Sequence, residues 1–237
     1  MNPTDDTPGL AVVLGGTGGI GAALADGLRQ QGHTVLAIGR RTAPALDYAD
    51  DSTVAAVAQF VSAELERTGL PLRRLVVATG ILHEGAVQPE RSWTHLDAAA
   101  LQRLFLVNTI GPALVMRHCL PLLPRKGRSV AAFISARVGS IGDNRLGGWY
   151  GYRASKAALN QLVHTAAIEL ARRCPQALCV ALHPGTVDTA LSQPFAKTGL
   201  EVRPPTVAAQ ELLQVMDTLP EGSNGGFFDH QGLAVPW

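Results

Sequence analysis

The sequence predicts a doubly wound α/β fold, a parallel sheet of about seven strands with helices on both faces, and three observations predict it. Short apolar runs stop at glycines. Helical stretches alternate with them, and 237 residues with 46% hydrophobic content are enough for one sizeable core. LAVVLGG (10–16) is continuously apolar, which suits a strand buried on both faces. GAALADGLRQQG (21–32) follows as a helix closed by Gly32. HTVLAIG (33–39) is the next strand, ALDY (45–48) a candidate short one, and STVAAVAQFVSAELERTG (52–69) a helix. RRLVVATG (73–80) reads as a strand and leads to a long helical tract from about Leu96 to Leu122. Then come strand SVAAFISA (129–136), helix ASKAALNQLVHTAAIELARR (154–173), strand ALCVALHPG (177–185), helix TVAAQELLQVMDTL (206–219) and a last strand near GGFFDH (225–230). No repeat or linker divides the chain, so residues 1–8 are expected to be loose and 9–237 to form one domain.

Charge and cysteine content narrow the function classes. The 20 basic and 19 acidic residues nearly balance and form no long cationic cluster, which speaks against nucleic-acid or membrane-surface partners and for a small molecule. Cys119, Cys174 and Cys179 lack metal-ligand spacing, so neither a disulfide framework nor a metal site is expected. His83, His118 and His183 are read as structural. The first residues carry acids where a signal peptide needs basic ones, and no run reaches the roughly 18 apolar residues of a membrane span, so a cytoplasmic location is expected.

GGTGGIG (15–21) leaves the first strand and enters the first helix, the place for a phosphate-binding loop. Glycines let backbone approach a pyrophosphate closely, and the helix N-terminus favours its charge, so Gly15, Gly16, Thr17, Gly18, Gly19, Ile20 and Gly21 are expected to hold a dinucleotide in a Rossmann-type fold. The register stays open: Gly16, Gly18 and Gly21 satisfy GxGxxG, while Gly15, Gly19 and Gly21 satisfy GxxxGxG. An acid that would select NAD is expected at the end of the second strand, where the chain has Gly39 followed by Arg40 and Arg41. Two guanidinium groups suit a 2′-phosphate, so NADP is preferred to NAD.

GGWYGYRASKAAL (147–159) holds a second signal. Tyr152 and Lys156 are four apart and share one helix face, whereas Tyr150 is six from the lysine and falls off it. A free phenol has a pKa of about 10, so exchanging a proton near neutrality asks for roughly 4 kcal/mol. An ammonium about 4 to 5 Å away supplies nearly that at an effective dielectric of about 20. Asn108 precedes Pro112 by four residues, and because proline has no N–H, the Asn108 carbonyl loses its helical partner and becomes free for an ordered water.

These motifs, in this order, resemble the short-chain dehydrogenase/reductase family from about Leu10 to Trp237. GGTGGIG matches its cofactor loop, YRASK (152–156) its Tyr-x-x-x-Lys, VNTIGP (107–112) its catalytic asparagine segment and HPGTVDT (183–189) the Pro-Gly turn beside the nicotinamide. SARVGSIGDNRLGGWYGYRASKAALNQ (135–161) is similar to the branch of the C-factor signalling proteins and Sniffer-type carbonyl reductases. The resemblance implies an oxidoreductase acting on a carbonyl or alcohol: Tyr152 as proton donor, Lys156 lowering its pKa and holding the ribose, and Asn108 in a proton relay. It implies adenine contact at Asp47, backbone approach at Val187, a diphosphate or carboxamide contact at Thr189, and cofactor contacts at Gly80, Pro184 and Gly185. It also implies a homodimer or homotetramer built on the helices at about 98–122 and 152–173.

Two departures stand out. Where the family ends its fifth strand in two serines, this chain has Ser135 and Ala136. Ser135 is taken as the catalytic candidate to hold the substrate carbonyl in place of the second serine, with Ser140 as its rival, although side chains alternate along a strand and Ser135 points away from that place unless the strand end twists or bulges. VVATG (76–80) replaces amides that usually knit the central strands. The substrate is expected to be chosen by 187–205 and the tail, with Leu191, Phe195 and Trp237 suggesting apolar walls. A dinucleotide-binding signalling protein with weak turnover remains the alternative.

Overall fold

Alternate residues of the central strands feed two different cores, which is what makes the fold doubly wound. In the computed structural model, which describes residues 7–85, 87–191 and 202–237, Leu10, Val12 and Leu14 pack into one core and Ala11 and Val13 into the other. Leu178, Val180 and Leu182 likewise oppose Ala177, Cys179 and Ala181. This accounts for the unbroken apolar runs: a strand covered by helices on both faces has no side for polar residues. Helices α1 (Gly19–Gln30) and α6 (Pro205–Thr218) cover one face. Helices α2 (Asp51–Thr68), α4 (Gly111–Cys119) and α5 (Tyr150–Arg173) cover the other.

The main sheet is parallel and has six strands among the described residues: β1 (Leu10–Leu14), β2 (Thr34–Ile38), β3 (Leu72–Val77), β4 (Ser129–Ile134), β5 (Ala177–His183) and β8 (Phe227–Asp229), in the order β2-β1-β3-β4-β5-β8. ALDY is not a strand; Tyr48 begins a turn whose Asp47 carboxylate accepts from the Ala49 N–H at 3.0 Å. A second, two-stranded sheet pairs β6 (Thr186–Val187) with β7 (Val202–Arg203) in parallel. Because β2 and β3 flank β1 on opposite sides, the chain reverses direction there, and such a switch point opens a crevice at the strands' carboxyl ends.

The predicted tract from about Leu96 to Leu122 is helical from Ala98, but it is not one regular helix. Helix α3 (Ala98–Phe105) passes through a π-helical turn at Leu106–Ile110 before α4. Tract 98–122 is long and apolar enough to cross a membrane, yet only by length and composition: 44% of its most apolar window is buried inside the fold, where it is a core helix. Pro112, lacking an N–H, lies directly after the widened turn, consistent with the lost i→i−4 bond. Arg74, 2% exposed in β3, is held by Asp217 of α6 at 2.8 Å, which offsets the cost of burying a charge.

Candidate active site

The glycine loop sits at the switch point, and sterics favour one of its two registers. A Cβ on Gly21 would stand 2.2 Å from the Gly15 carbonyl oxygen, and one on Gly15 would stand 2.9 Å from the Ala78 backbone. Gly15 (φ 82) and Gly19 (φ 23) also take positive φ. Gly18 meets nothing nearer than 3.9 Å. Gly16 is equally constrained, a Cβ there standing 2.7 Å from the Val13 carbonyl oxygen, so Gly15, Gly16, Gly19 and Gly21 are all closely packed, and it is the open Gly18, which only GxGxxG requires, that favours the GxxxGxG spacing. Helix α1 starts from Gly18 with no side-chain cap and no acid in its first turn, so its N-terminal N–H groups and dipole are left for an anion. That is a fit for a dinucleotide diphosphate.

A cleft runs from this loop past β2 and β3, lined by Thr17, Gly18, Arg40, Asp47, Tyr48 and Gly80 among others. Arg40 lines it; Arg41 is exposed and does not. Tyr48 was not foreseen: its ring covers Gly111, where a Cβ would be 2.2 Å from the ring, and its hydroxyl bonds Thr79 Oγ1 at 2.9 Å. Burial raises that phenol's pKa well above its ordinary value. Glu84 and Arg103 also line the cleft and had no signal in the sequence.

At its inner end the cleft meets three predicted residues. A Cβ on Gly80 would lie 3.4 Å from both Asn108 Oδ1 and Lys156 Nζ, so the amide, the ammonium and the end of the post-β3 turn converge. Asn108, fully buried in the π turn, uses its amide as a clamp: Nδ2 donates to the Ile81 carbonyl (2.9 Å) and to Ser155 Oγ (3.1 Å), and Oδ1 accepts from the Ile81 N–H (2.9 Å).

Tyr152 and Lys156 are both buried on one face of α5, which begins at Tyr150, four residues before the predicted start. Trp149 at its N-cap is left-handed (φ 54) after Gly147 (φ 64) and Gly148 (φ 66), the run of positive φ that explains the paired glycines. Its ring meets Tyr152 edge-on at 6.3 Å. No side chain within α5 caps its start; instead both Glu90 carboxylate oxygens lie 3.2 Å from the Gly151 N–H. Tyr150 is half-buried and lies outside this group.

The expected electrostatics are corrected by burial. Tyr152 packs among Leu82, Leu104 and Ala136, and desolvation raises its pKa well above 10 rather than lowering it. Lys156 Nζ donates to the Ile134 carbonyl at 2.9 Å, and burial pushes its own pKa down to about 8. The chain alone therefore keeps Tyr152 as a neutral phenol, a proton donor, and does not by itself make it acidic.

HPGTVDT reaches the same place. Gly185 takes φ 74, Val187 is buried, and the Thr189 methyl would stand 2.8 Å from a Cβ on Gly19, so this segment packs over the glycine loop. Residues 192–201, including Phe195, lie outside the described residues. Leu191 packs in the apolar cluster around Tyr152. Trp237 instead stacks on Phe227 (6.1 Å) and meets His164 (5.5 Å), a packing anchor rather than a wall.

A model of the short chain dehydrogenase family matches residues 9–199. The chain belongs to the short-chain dehydrogenase family. Its members are oxidoreductases that use a nicotinamide dinucleotide. C-signal of Myxococcus xanthus is 37% identical over 142 residues, 60% of this chain and 81% of that one. A 1-hydroxy-2-glutathionyl-2-methyl-3-butene dehydrogenase of Rhodococcus sp. is 29% identical over 237 residues, covering 95% and 98%. The fold superposes on an NADPH-bound carbonyl reductase from chicken fatty liver with a TM-score of 0.80 at 24% identity, covering 97% of this chain and 99% of that one. The similarity to the C-factor proteins is thus upheld by sequence, and the superposition on the carbonyl reductase shows a shared fold.

As a short-chain dehydrogenase, the chain is unusual in its serines. Ser135 Oγ donates to Asn160 Oδ1 at 2.6 Å, while Ser140 Oγ donates to the Pro236 carbonyl and accepts from the Asp143 N–H. Both hydroxyls are committed to the scaffold, and the position packed with Tyr152 is Ala136. The proposed carbonyl-binding role of Ser135 and of its rival Ser140 finds no support in these contacts.

His83, His118 and His183 are spread through the fold, and no group of three or more metal-ligating residues occurs among the described residues. His83 Nε2 lies 3.0 Å from the Ala190 carbonyl. His183, at the end of β5, has its pKa pushed down to about 4, chiefly by burial and next by the His230 charge. A histidine kept neutral by the fold stabilises it above about pH 6.5 and ceases to as pH falls toward about 4, because the unfolded chain then binds the extra proton. The urea midpoint is therefore expected to drop between pH 6.5 and 4.5, and to drop less in His183→Asn; equal drops would show that His183 does not titrate this way.

Proposed function

We propose that the protein is an NADPH-dependent carbonyl reductase, able to run in reverse as an alcohol dehydrogenase. The observation that carries the reading is the convergence of Asn108 and Lys156 on Gly80 at the cleft's inner end, with Tyr152 buried on the Lys156 face of α5. The first turn of α1 with Gly15 to Gly21 would take the diphosphate, Asp47 the adenosine, Arg40 with Arg41 the 2′-phosphate and Lys156 the nicotinamide ribose. Pro184, Gly185, Val187 and Thr189 would flank the nicotinamide. When bound, the dinucleotide supplies the hydride for the carbonyl carbon. Tyr152 gives its phenolic proton to the carbonyl oxygen, and Lys156, as a cation, compensates the phenolate that remains.

The NADPH preference rests on Arg40 and Arg41 and on the NADPH-bound chicken carbonyl reductase. Apolar walls at Leu82, Leu104, Ala136 and Leu191 favour an uncharged substrate. We take the protein to act in the cytoplasm and as a homodimer or homotetramer; a scattering mass near 25 kDa would exclude the assembly. Consumption of NADPH with a panel of aldehydes, ketones and quinones tests the reading, and no consumption with any of them would overturn it. The engagement of Ser135 and Ser140 in the scaffold, together with the C-signal relative, favours one second reading, a dinucleotide-binding signalling protein with weak or no turnover.

A pH profile follows from Lys156. Its pKa of about 8 leaves it charged below that pH and neutral above it. The kcat/KM for the dinucleotide, which reports groups of the free enzyme, is expected to be level near pH 6.5 and to fall about tenfold per unit well above pH 8. A profile level to pH 10 would show that the ammonium is not required.

A further inference from the structure

Arg103 of α3 and Glu84, in the turn after β3, line the cleft together with Arg40. Arg103 Nε and Nη2 both reach the same Glu84 oxygen, Oε2, at 2.7 Å. The other oxygen, Oε1, faces Arg40 Nη1 at 3.7 Å, beyond hydrogen-bond reach. One carboxylate thus sits between two guanidinium groups and satisfies only one of them. All three side chains are partly exposed: Arg40 78%, Arg103 34% and Glu84 37%. Pairs so exposed contribute little to stability, so the arrangement is not needed to hold the fold. Its place is informative. Gly39 and Arg40 directly follow β2, where an adenosine ribose is bound in a fold wound this way.

We infer that Arg103 is a second ligand for a ribose 2′-phosphate and that Glu84 is the phosphate's built-in competitor. The inference deepens the NADPH reading above and rests on it. Two planar forks about one anion suit a phosphate better than a carboxylate, because the phosphate offers three acceptor oxygens and a charge of about −1.5 to −2. Glu84 holds Arg103 in orientation and shields the repulsion between the two arginines. Its negative charge, together with that of Asp47 on the same cleft, repels the incoming phosphate. An ordinary structural ion pair has a symmetric signature: removing either partner does the same thing. Here the two removals act in opposite directions.

The test is equilibrium binding of NADPH and NADH, followed by tryptophan fluorescence, to the wild-type protein, Arg103→Gln, Arg103→Lys and Glu84→Gln. Adenosine 2′,5′-bisphosphate and adenosine 5′-monophosphate serve as probes lacking the nicotinamide. Arg103→Gln is expected to weaken NADPH and the bisphosphate about tenfold or more, Arg103→Lys by less, and Glu84→Gln to tighten both about threefold or more. NADH and the monophosphate are expected to stay within about twofold throughout. Equal shifts for NADPH and NADH, shifts of one sign in Arg103→Gln and Glu84→Gln, or no shift would overturn the inference while leaving dinucleotide binding intact. Failure of the wild-type protein to bind either dinucleotide, or to prefer NADPH, would overturn the cofactor reading and this inference with it. Thermal melts identify a misfolded variant, in which case the remaining arginine variant and Glu84→Gln decide the sign.

Discussion

Tyr152→Phe is expected to lower carbonyl reduction by about 10³-fold while leaving dinucleotide affinity and melting temperature close to wild type. Among the described residues the phenol makes no hydrogen bond, and its oxygen is not among the sealed polar atoms that lack partners, so deleting it breaks no bond of the described scaffold. Phenylalanine keeps the edge-on contact with Trp149 and the packing against Leu82, Leu104 and Ala136. What it removes is a proton that burial holds on the oxygen. For reduction this is the useful protonation state, and the two serines of the neighbouring segment, Ser135 and Ser140, are engaged elsewhere. Residual activity within tenfold of wild type, measured as NADPH oxidation with the best aldehyde or ketone, would remove Tyr152 from the acid's role. Identical dinucleotide binding in both proteins is the control that separates chemistry from folding.

The layout of the fold was readable because strands buried on both faces leave a plain record. Runs such as LAVVL and ALCVALH have no polar alternation, and the structure puts their odd and even residues in opposite cores. ALDY misleads by the same rule: its leucine and tyrosine are buried by packing of a turn, with Tyr48 laid on Gly111. Local spacing revealed Tyr152, Lys156 and the glycine loop, whose members are near neighbours in the chain. Glu84, Arg103 and Glu90 were not legible, because each acts on a partner far off in sequence and an isolated acid or base looks like surface. The Tyr152 electrostatics failed for a related reason. Spacing on a helix says that two side chains share a face, whereas a pKa depends on what surrounds them, and here apolar neighbours dominate. The turn at Leu106–Ile110 falls between these cases: Pro112 predicted a lost bond near Asn108, but only the coordinates show the chain widening into a π turn that turns the Asn108 amide into a clamp on Ile81.

Gly21→Ala and Gly18→Ala, three residues apart in one loop, are expected to behave in opposite ways. At Gly21 the new methyl would lie 2.2 Å from the Gly15 carbonyl oxygen, so either the loop or the start of α1 must move. Forced overpacking of this kind costs about 1–3 kcal/mol, and its larger effect falls on the ligand, because Gly15 N–H is anchored to the Ile38 carbonyl at 2.8 Å and passes the displacement on to the diphosphate cradle. Dinucleotide affinity is expected to fall about a hundredfold or more, since charge-assisted contacts from several N–H groups lose their aim together. At Gly18 the φ of −117° is open to any residue and the nearest atom is 3.9 Å away, so the melting temperature is expected to stay within a degree or two of wild type. Because Gly18 lines the cleft and a methyl there meets no protein atom nearer than 3.9 Å, a moderate loss of affinity without loss of stability is its expected signature. Thermal melts and NADPH titrations of both variants check the contrast. If Gly18→Ala unfolds as readily as Gly21→Ala, the constrained glycines are those of GxGxxG, and if Gly21→Ala binds as wild type, the geometry assigned to the cofactor loop is wrong.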